Sequence, residues 1–218
     1  MTFTEYVQTR SDELTRAFGQ HALVVALSIA IATVLGVGIG VLTWRHRRLS
    51  GFAIGVSSGF LTIPSFALLG LLIPVLGLGW SPTVFALTLY SLLPIIRNTV
   101  VGLRGVDSAV IEAGRGMGMS SFHVLWRLQL PLAWPLILSG IRVATQMIIG
   151  ITAIAAYVAG PGLGQQILDG LARLGSANSL NEALAGTLGV VILALLCDLF
   201  FLIVRRLTSP RGLRVREQ

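Results

Sequence analysis

Long apolar runs separated by short polar turns set the pattern of this chain. Residues 21–43 form an apolar run that exceeds the roughly 20 residues needed to cross about 30 Å of hydrocarbon, and it ends in Trp44-Arg45-His46-Arg47-Arg48. A second run, 51–76, carries Thr62-Ile63-Pro64-Ser65 near its middle. Proline removes a backbone donor, so a kink that faces the protein interior is expected there. Residues 77–82 read as a turn with Trp80 at the interface, and a third run, 83–96, ends at Arg97-Asn98 with Pro94 close by. The fourth run, 132–159, is the most polar, interrupted by Ser139, Gly140, Arg142, Thr145, Gln146 and Thr152. Side chains of that kind avoid lipid, which makes this helix the first candidate to line a translocation route. A fifth run, 183–204, stops at Arg205-Arg206. The pattern predicts an all-α, polytopic membrane protein with five transmembrane helices.

The segments between the runs complete the plan. Residues 1–20 alternate charged with apolar positions and predict a short interfacial helix outside the membrane. A secretory signal fits poorly, because the following run is too long and ends in a basic stop-transfer cluster. The outer loop 160–182 opens on Gly160-Pro161-Gly162-Leu163-Gly164 and passes through an amphipathic piece, 165–174, to a polar turn at Asn178 and Asn181. Residues 205–218 form a basic tail.

Composition agrees: 54% of residues are apolar and 11% charged, outside the range of a soluble domain. A net charge of +7 raises nucleic-acid binding as a possibility, but the basic residues sit at the ends of apolar runs, not in a stripe with interleaved aromatics. All 16 are arginine, and twelve fall on one side of the five-span plan against three on the other, with Arg142 within a span. The asymmetry places the N-terminus outside and the C-terminus inside. The absence of lysine removes a Walker-type phosphate loop, so this chain is not expected to hydrolyse ATP by that route. Cys197 lies in an apolar run and reads as a packing residue; the three histidines have no metal-ligand spacing.

One polar stretch, 107–131, interrupts the apolar sequence on the inner side, in a cytoplasmic loop 98–131. Asp107 and Ser108 can cap a short helix; Gly114, Gly116 and Gly118 permit a sharp turn; Ser120 can cap a second helix that Pro131 closes. In that second helix Phe122, Leu125 and Trp126 fall on one face and His123 and Arg127 on another. The expectation is a helix-turn-helix knob suited to a groove on a soluble partner.

The spacing Glu112-Ala113-Gly114, three residues, Gly118, nine residues, Leu128, one residue, Leu130-Pro131 resembles the EAA signature of permease subunits of bacterial ATP-binding cassette importers. That signature has Ala in place of Gly114 and Ile in place of Leu128. The resemblance implies a type I importer permease fold (MetI-like) in a bacterial plasma membrane. The loop would then dock on a cytoplasmic ATP-binding subunit dimer, with Glu112, Ala113, Gly114, Gly118, Ser120, Leu128 and Pro131 shaping the coupling surface. It further implies that ATP and Mg reside on that partner ATPase and that this chain binds no cofactor. A second permease copy or paralogue and an extracytoplasmic substrate-binding protein would complete the assembly, surrounded by membrane lipid and without nucleic acid. Thr62-Ile63-Pro64-Ser65, Leu93 to Thr99, Gly105-Val106-Asp107 and Gly162-Leu163-Gly164 are similar to the branch that imports glycine betaine, choline and carnitine.

The candidate path residues are Pro64, Ser65, Tyr90, Arg142, Gln146, Tyr157 and Asp198. Five of them have a plainer reading. Tyr90 and Tyr157 are either cage residues for a quaternary ammonium or packing and interfacial anchors. Asp198 either attracts a cationic solute or forms a structural pair, with Arg205 two helical turns along the same side. Arg142 and Gln146, at i and i+4, either line the path or bond backbone carbonyls. Gly36 and Gly40 either admit a close helix neighbour or reflect the abundance of glycine in membrane helices. Against a self-sufficient secondary transporter stand the length, the lack of a repeated half and the scarcity of intramembrane acids. An intramembrane enzyme lacks an embedded Ser/His or paired-Asp arrangement.

Overall fold

The structure, a computed structural model, describes residues 1–208 and is helical throughout. The basic tail's Arg211, Arg214 and Arg216 lie outside the described residues. Ten α-helices follow in order: α1 Phe3–Thr9, α2 Ser11–Thr43, α3 Arg47–Thr62, α4 Ser65–Leu76, α5 Trp80–Arg104, α6 Ser108–Gly116, α7 Ser121–Val124, α8 Leu130–Ile154, α9 Gly164–Ala172 and α10 Ser179–Thr208. A π turn at Leu125–Gln129 joins α7 to α8, and a 3₁₀ turn at Ala155–Val158 extends α8. Among the described residues four helical stretches are long and apolar enough to cross a membrane, and five spans result if the bent pair α3–α4 counts as one.

Helix α1 starts in a capping box, with Thr2 Oγ1 accepting from Glu5 N–H and the Glu5 carboxylate accepting from Thr2 N–H. The expected interfacial helix is thus confined to α1, because residues 11–20 belong to α2, a rod of 33 residues and about 50 Å. Asp12 and Glu13 in its first turn favour that early start.

Helix α5 is the centre of the bundle, packed by α2 on one side and α8 on the other. Small residues make both contacts close. A methyl group on Gly36 would lie 2.8 Å from Ile95, and one on Gly40 would lie 2.6 Å from Thr99. On the opposite side Gly140 of α8 lies against the Pro94 carbonyl and Asn98, at 2.7 Å from a would-be methyl. Between apolar helices in lipid, such fit supplies the attraction that water supplies in a soluble core. The close-neighbour reading of Gly36 and Gly40 therefore holds. Around these contacts Ile95, Ile96, Leu103, Ile137 and Ile148 are fully buried.

The second apolar run is not a kinked helix but two helices at 96°, with Ile63 and Pro64 extended between them. Pro64 has no N–H to continue the α3 ladder and disfavours helical backbone at Ile63, which adopts φ −74°, ψ 126°. The third run also exceeds its expected bound: α5 continues to Arg104, so Arg97 and Asn98 lie within it. Nothing between them and Gly105 breaks the ladder, and Asn98 Nδ2 returns a hydrogen bond to the Pro94 carbonyl at 2.8 Å. Arg104 then fastens this end, donating to the Trp44 carbonyl and to Ser50 Oγ, both at 2.8 Å.

At the other end of the bundle His21 ties three segments together. Its Nδ1 accepts from Leu163 N–H at 3.3 Å, which leaves Nε2–H to donate to the Ile149 carbonyl at 3.1 Å. Gly162, at φ +118°, brings the loop onto the imidazole, and an added methyl would meet Nδ1 at 2.9 Å. The expected amphipathic piece is α9, and the Asn178–Asn181 turn contacts the start of the chain through Asn181 Nδ2 to the Met1 carbonyl at 3.1 Å.

Candidate functional site

The polar stretch forms the expected pair of short helices at the end of the bundle where α5 finishes and α8 begins. Asp107 caps α6 by accepting from Ala109 N–H at 2.9 Å, and Ser120 caps α7 by accepting from His123 N–H. Ser120 Oγ also lies 2.8 Å from His123 Nδ1. Of the three glycines expected to shape the turn, only Gly118 has a left-handed backbone, at φ +82°. Gly114 has a different task. It is buried inside α6, where an added methyl would sit 2.6 Å from Leu128 Cδ1.

Pro131 does not close the second helix. The helix runs on through the π turn into α8, with Leu130 N–H bonded to the Leu125 carbonyl. The widened turn shifts the hydrogen-bond register just before the residue that has no donor to give, so Pro131 falls at the start of α8. The apolar face also divides. Phe122 and Trp126 project outward, 65% and 56% exposed with ring centroids 6.0 Å apart, while Leu125 turns toward the bundle. Glu112, Ala113, Gly118, Ser120 and Pro131 are exposed around them, and Leu128 is half-buried against Gly114.

A second cluster joins α8 to α10. Arg142 forms a fork with Asp198, Nε to Oδ1 at 2.8 Å and a terminal nitrogen to Oδ2 at 2.9 Å. Gln146 donates to the Ala194 carbonyl at 3.1 Å and approaches Asp198 Oδ1 at 3.5 Å. The fork gives Asp198 a structural partner, Arg142, across the helix interface, a contact between separate segments that spacing along one helix does not reveal. Gln146 takes the carbonyl-bonding alternative. Beside the ion pair a cavity of about 230 Å³ is lined by Ser139, Arg142, Phe201 and Arg205, among others.

The third feature is where two chain breaks meet. Helix α4, just after Pro64, packs on the 3₁₀ turn that carries Tyr157. Phe66 and Tyr157 stand edge to face with centroids 5.0 Å apart, 58% and 60% exposed. Pro64 is exposed and Ser65 half-buried beside them. Tyr90 is buried behind the break, and its hydroxyl donates to the Ile63 carbonyl at 3.0 Å, pairing a group that the interrupted ladder leaves free. Phe66 belongs to this cluster by position, although it is not among the candidate path residues that the sequence marks.

Long apolar helices, a span broken at its middle and a capped helical knob at one end define an integral membrane permease subunit. The chain belongs to the family of binding-protein-dependent transport system inner membrane components, which matches residues 32–212. It is similar to the carnitine transport permease protein OpuCD of Listeria monocytogenes, at 36% identity over 94% of this chain and 91% of that protein. It is also similar to the glycine betaine/carnitine/choline transport system permease protein OpuCD of Bacillus subtilis, at 38% over 94% and 88%. The osmoprotectant import permease protein OsmW of Salmonella typhimurium matches at 40% identity over 89% and 91%. A chain from an inward-facing crystal form of the MetNI methionine ABC transporter superposes with a TM-score of 0.78, covering 90% of this chain and 96% of that one at 22% identity. That likeness establishes the MetI-like fold, and the family places the chain in the inner membrane as a permease of ABC importers.

Proposed function

We propose that this chain is the membrane subunit of an ATP-driven importer of a small quaternary-ammonium or betaine-type osmoprotectant. The observation that carries the coupling half is the Phe122–Trp126 face, an exposed aromatic pair on a capped knob at one end of the bundle. Aromatic anchors of this kind fill grooves on partners, and the knob carries Glu112, Ala113, Gly114, Gly118, Ser120, Leu128 and Pro131. The groove belongs to a cytoplasmic ATPase dimer, which holds the ATP and Mg. The arginine distribution supports five spans with the N-terminus outside and the C-terminus inside.

The solute class rests on the kinship with carnitine, choline and glycine betaine permeases. Five spans are too few to enclose a path, so a second copy or paralogue completes it, and a substrate-binding protein delivers the solute outside. Pro64, Ser65 and Tyr157 line the path at the two chain breaks; Tyr90 supports them from behind, and Arg142, Gln146 and Asp198 hold α8 to α10.

The test is uptake of radiolabelled glycine betaine, choline and carnitine into proteoliposomes holding the whole complex, its binding protein and ATP. Uptake should need all three. Phe122→Asp with Trp126→Asp should abolish co-purification of the ATPase, and Gly118→Val should leave the complex assembled but uncouple hydrolysis from uptake. Equal transport by this chain alone down a gradient would overturn the reading.

A further inference from the structure

A groove of about 750 Å³ runs between α2 and the start of α8, at the end of the bundle that carries the knob, which it meets at Trp126 and Pro131. One wall is α2 from Thr33 to Leu42, and the other passes from Trp126 through Trp134 to Ile137. Among the described residues no charged side chain lines it. Gly38 keeps it open partway along the α2 wall, since an added methyl there would meet nothing within 4 Å.

Three observations bear on what covers this groove. The first is length. From Thr33 to Leu42 the α2 wall measures about 14 Å at the rise of an α-helix, half of the roughly 30 Å hydrocarbon core. A helix of another chain packs along a seam that crosses the whole core, whereas an acyl chain of one leaflet needs half of it. The second is the chemistry of the walls. The one polar atom of Trp134, Nε1–H, is spent on Thr208 Oγ1 at 2.9 Å, so its ring offers the groove apolar surface alone. The third is charge at the knob end. Arg45, Arg47 and Arg48 follow α2 just beyond Leu42. Arg45 lies over the Trp44 ring at 5.3 Å, and Trp44 packs on the same buried cluster as Val41, Leu130 and Trp134 of the groove. Arg127, next to Trp126, is exposed and has no ion pair among the described residues. Arginines flanking the membrane end of an apolar groove attract an anionic lipid headgroup.

From these we infer that the α2–α8 groove holds one acyl chain of an anionic phospholipid from the leaflet on the knob's side, with the phosphate attracted to Arg45 and Arg127. The inference stands apart from the cargo and coupling readings, since it needs only the membrane location of the chain. It assigns Trp126 a second contact, with lipid, beside its place in the aromatic pair on the knob.

Native mass spectrometry tests it, on the complex purified from membranes through a tag on this chain and released from nanodiscs of equal phosphatidylglycerol and phosphatidylethanolamine. Each copy of the chain should retain one phosphatidylglycerol. Gly38→Trp, which fills the groove, should remove it. Val34→Trp, on the same wall at a side chain already 74% exposed, should do the same and decides the matter if the glycine variant fails to fold. Leu195→Trp, at an equally open position on α10, should leave the lipid in place. Arg45→Gln and Arg127→Gln should each lower the preference for phosphatidylglycerol about fivefold while a phospholipid stays bound. Retention unchanged in both groove variants, or lost equally in Leu195→Trp, means annular lipid only and overturns the site. An unchanged preference in both arginine variants overturns the headgroup assignment. A disulfide from Gly38→Cys to a second copy, in a Cys197→Ala background, would give the groove to that copy instead of lipid.

Discussion

Gly114 and Leu128, the two positions at which the chain departs from the EAA signature, touch one another: the absence of a methyl on Gly114 leaves room for Leu128 Cδ1. The sequence shows them as unrelated deviations fourteen positions apart, and only the folded knob shows one packing solution. Because Cδ1 is the flexible end of its side chain, Gly114→Ala alone should be tolerated. Combined with Leu128→Ile it should show a coupling of about 0.5–1 kcal/mol in a double-mutant cycle read by thermal unfolding of the complex. The Arg142–Asp198 fork is the other residue-scale feature with a clear cost. Asp198→Asn leaves a partly buried guanidinium with weaker partners and should lower stability by about 1–2 kcal/mol. Arg142→Met with Asp198→Leu should recover part of that loss, measured by the same unfolding transition. The sequence marks both residues and offers Asp198 either a cationic solute or a structural pair, but not Arg142 as its partner, since the pairing of α8 with α10 has no signature in the spacing.

Among the elements, α2 and α5 behave as one unit because glycine removes the side chain that would separate them. A methyl on Gly40 has no room beside Thr99, while one on Gly38, on another face of the same helix, meets nothing within 4 Å. Gly40→Ala should cost about 1–3 kcal/mol by overpacking and Gly38→Ala should cost nothing measurable, a contrast that detergent melting curves can resolve. The broken pair α3–α4 packs on α5, and the break itself receives one hydroxyl. Tyr90→Phe removes the donor to the Ile63 carbonyl and should cost about 1 kcal/mol while keeping the packed ring. If melting is unchanged, the break is fixed by Pro64 alone. The apolar runs were legible because a bilayer demands length and hydrophobicity. The break, the π turn and the extension of α5 were not, since each is settled by which neighbour accepts a freed backbone group.

For the molecule as a whole, the sequence revealed the all-helical plan and the knob, both of them features written locally. It did not reveal the meeting of the two chain breaks at Phe66 and Tyr157, because these join segments far apart in the chain. The topology makes a prediction at this scale. A cysteine at Thr2 in a Cys197→Ala background should react with an impermeant maleimide from the outside of intact cells, and one at Ser120 only after permeabilisation. The reverse pattern would invert the orientation. The π turn has a mechanical consequence as well. Since it carries the helix past Pro131 without a loop, the knob and the Arg142 helix are one rod from Ser121 to Val158, about 57 Å long at the rise of an α-helix. A tilt of the rod imposed at Phe122 and Trp126 reaches Tyr157 as a sideways displacement several times that of a point one turn from the pivot. The chain thus contains a lever with two nearly equal arms, because Gly140, where α5 grips it, lies about midway between Phe122 and Tyr157.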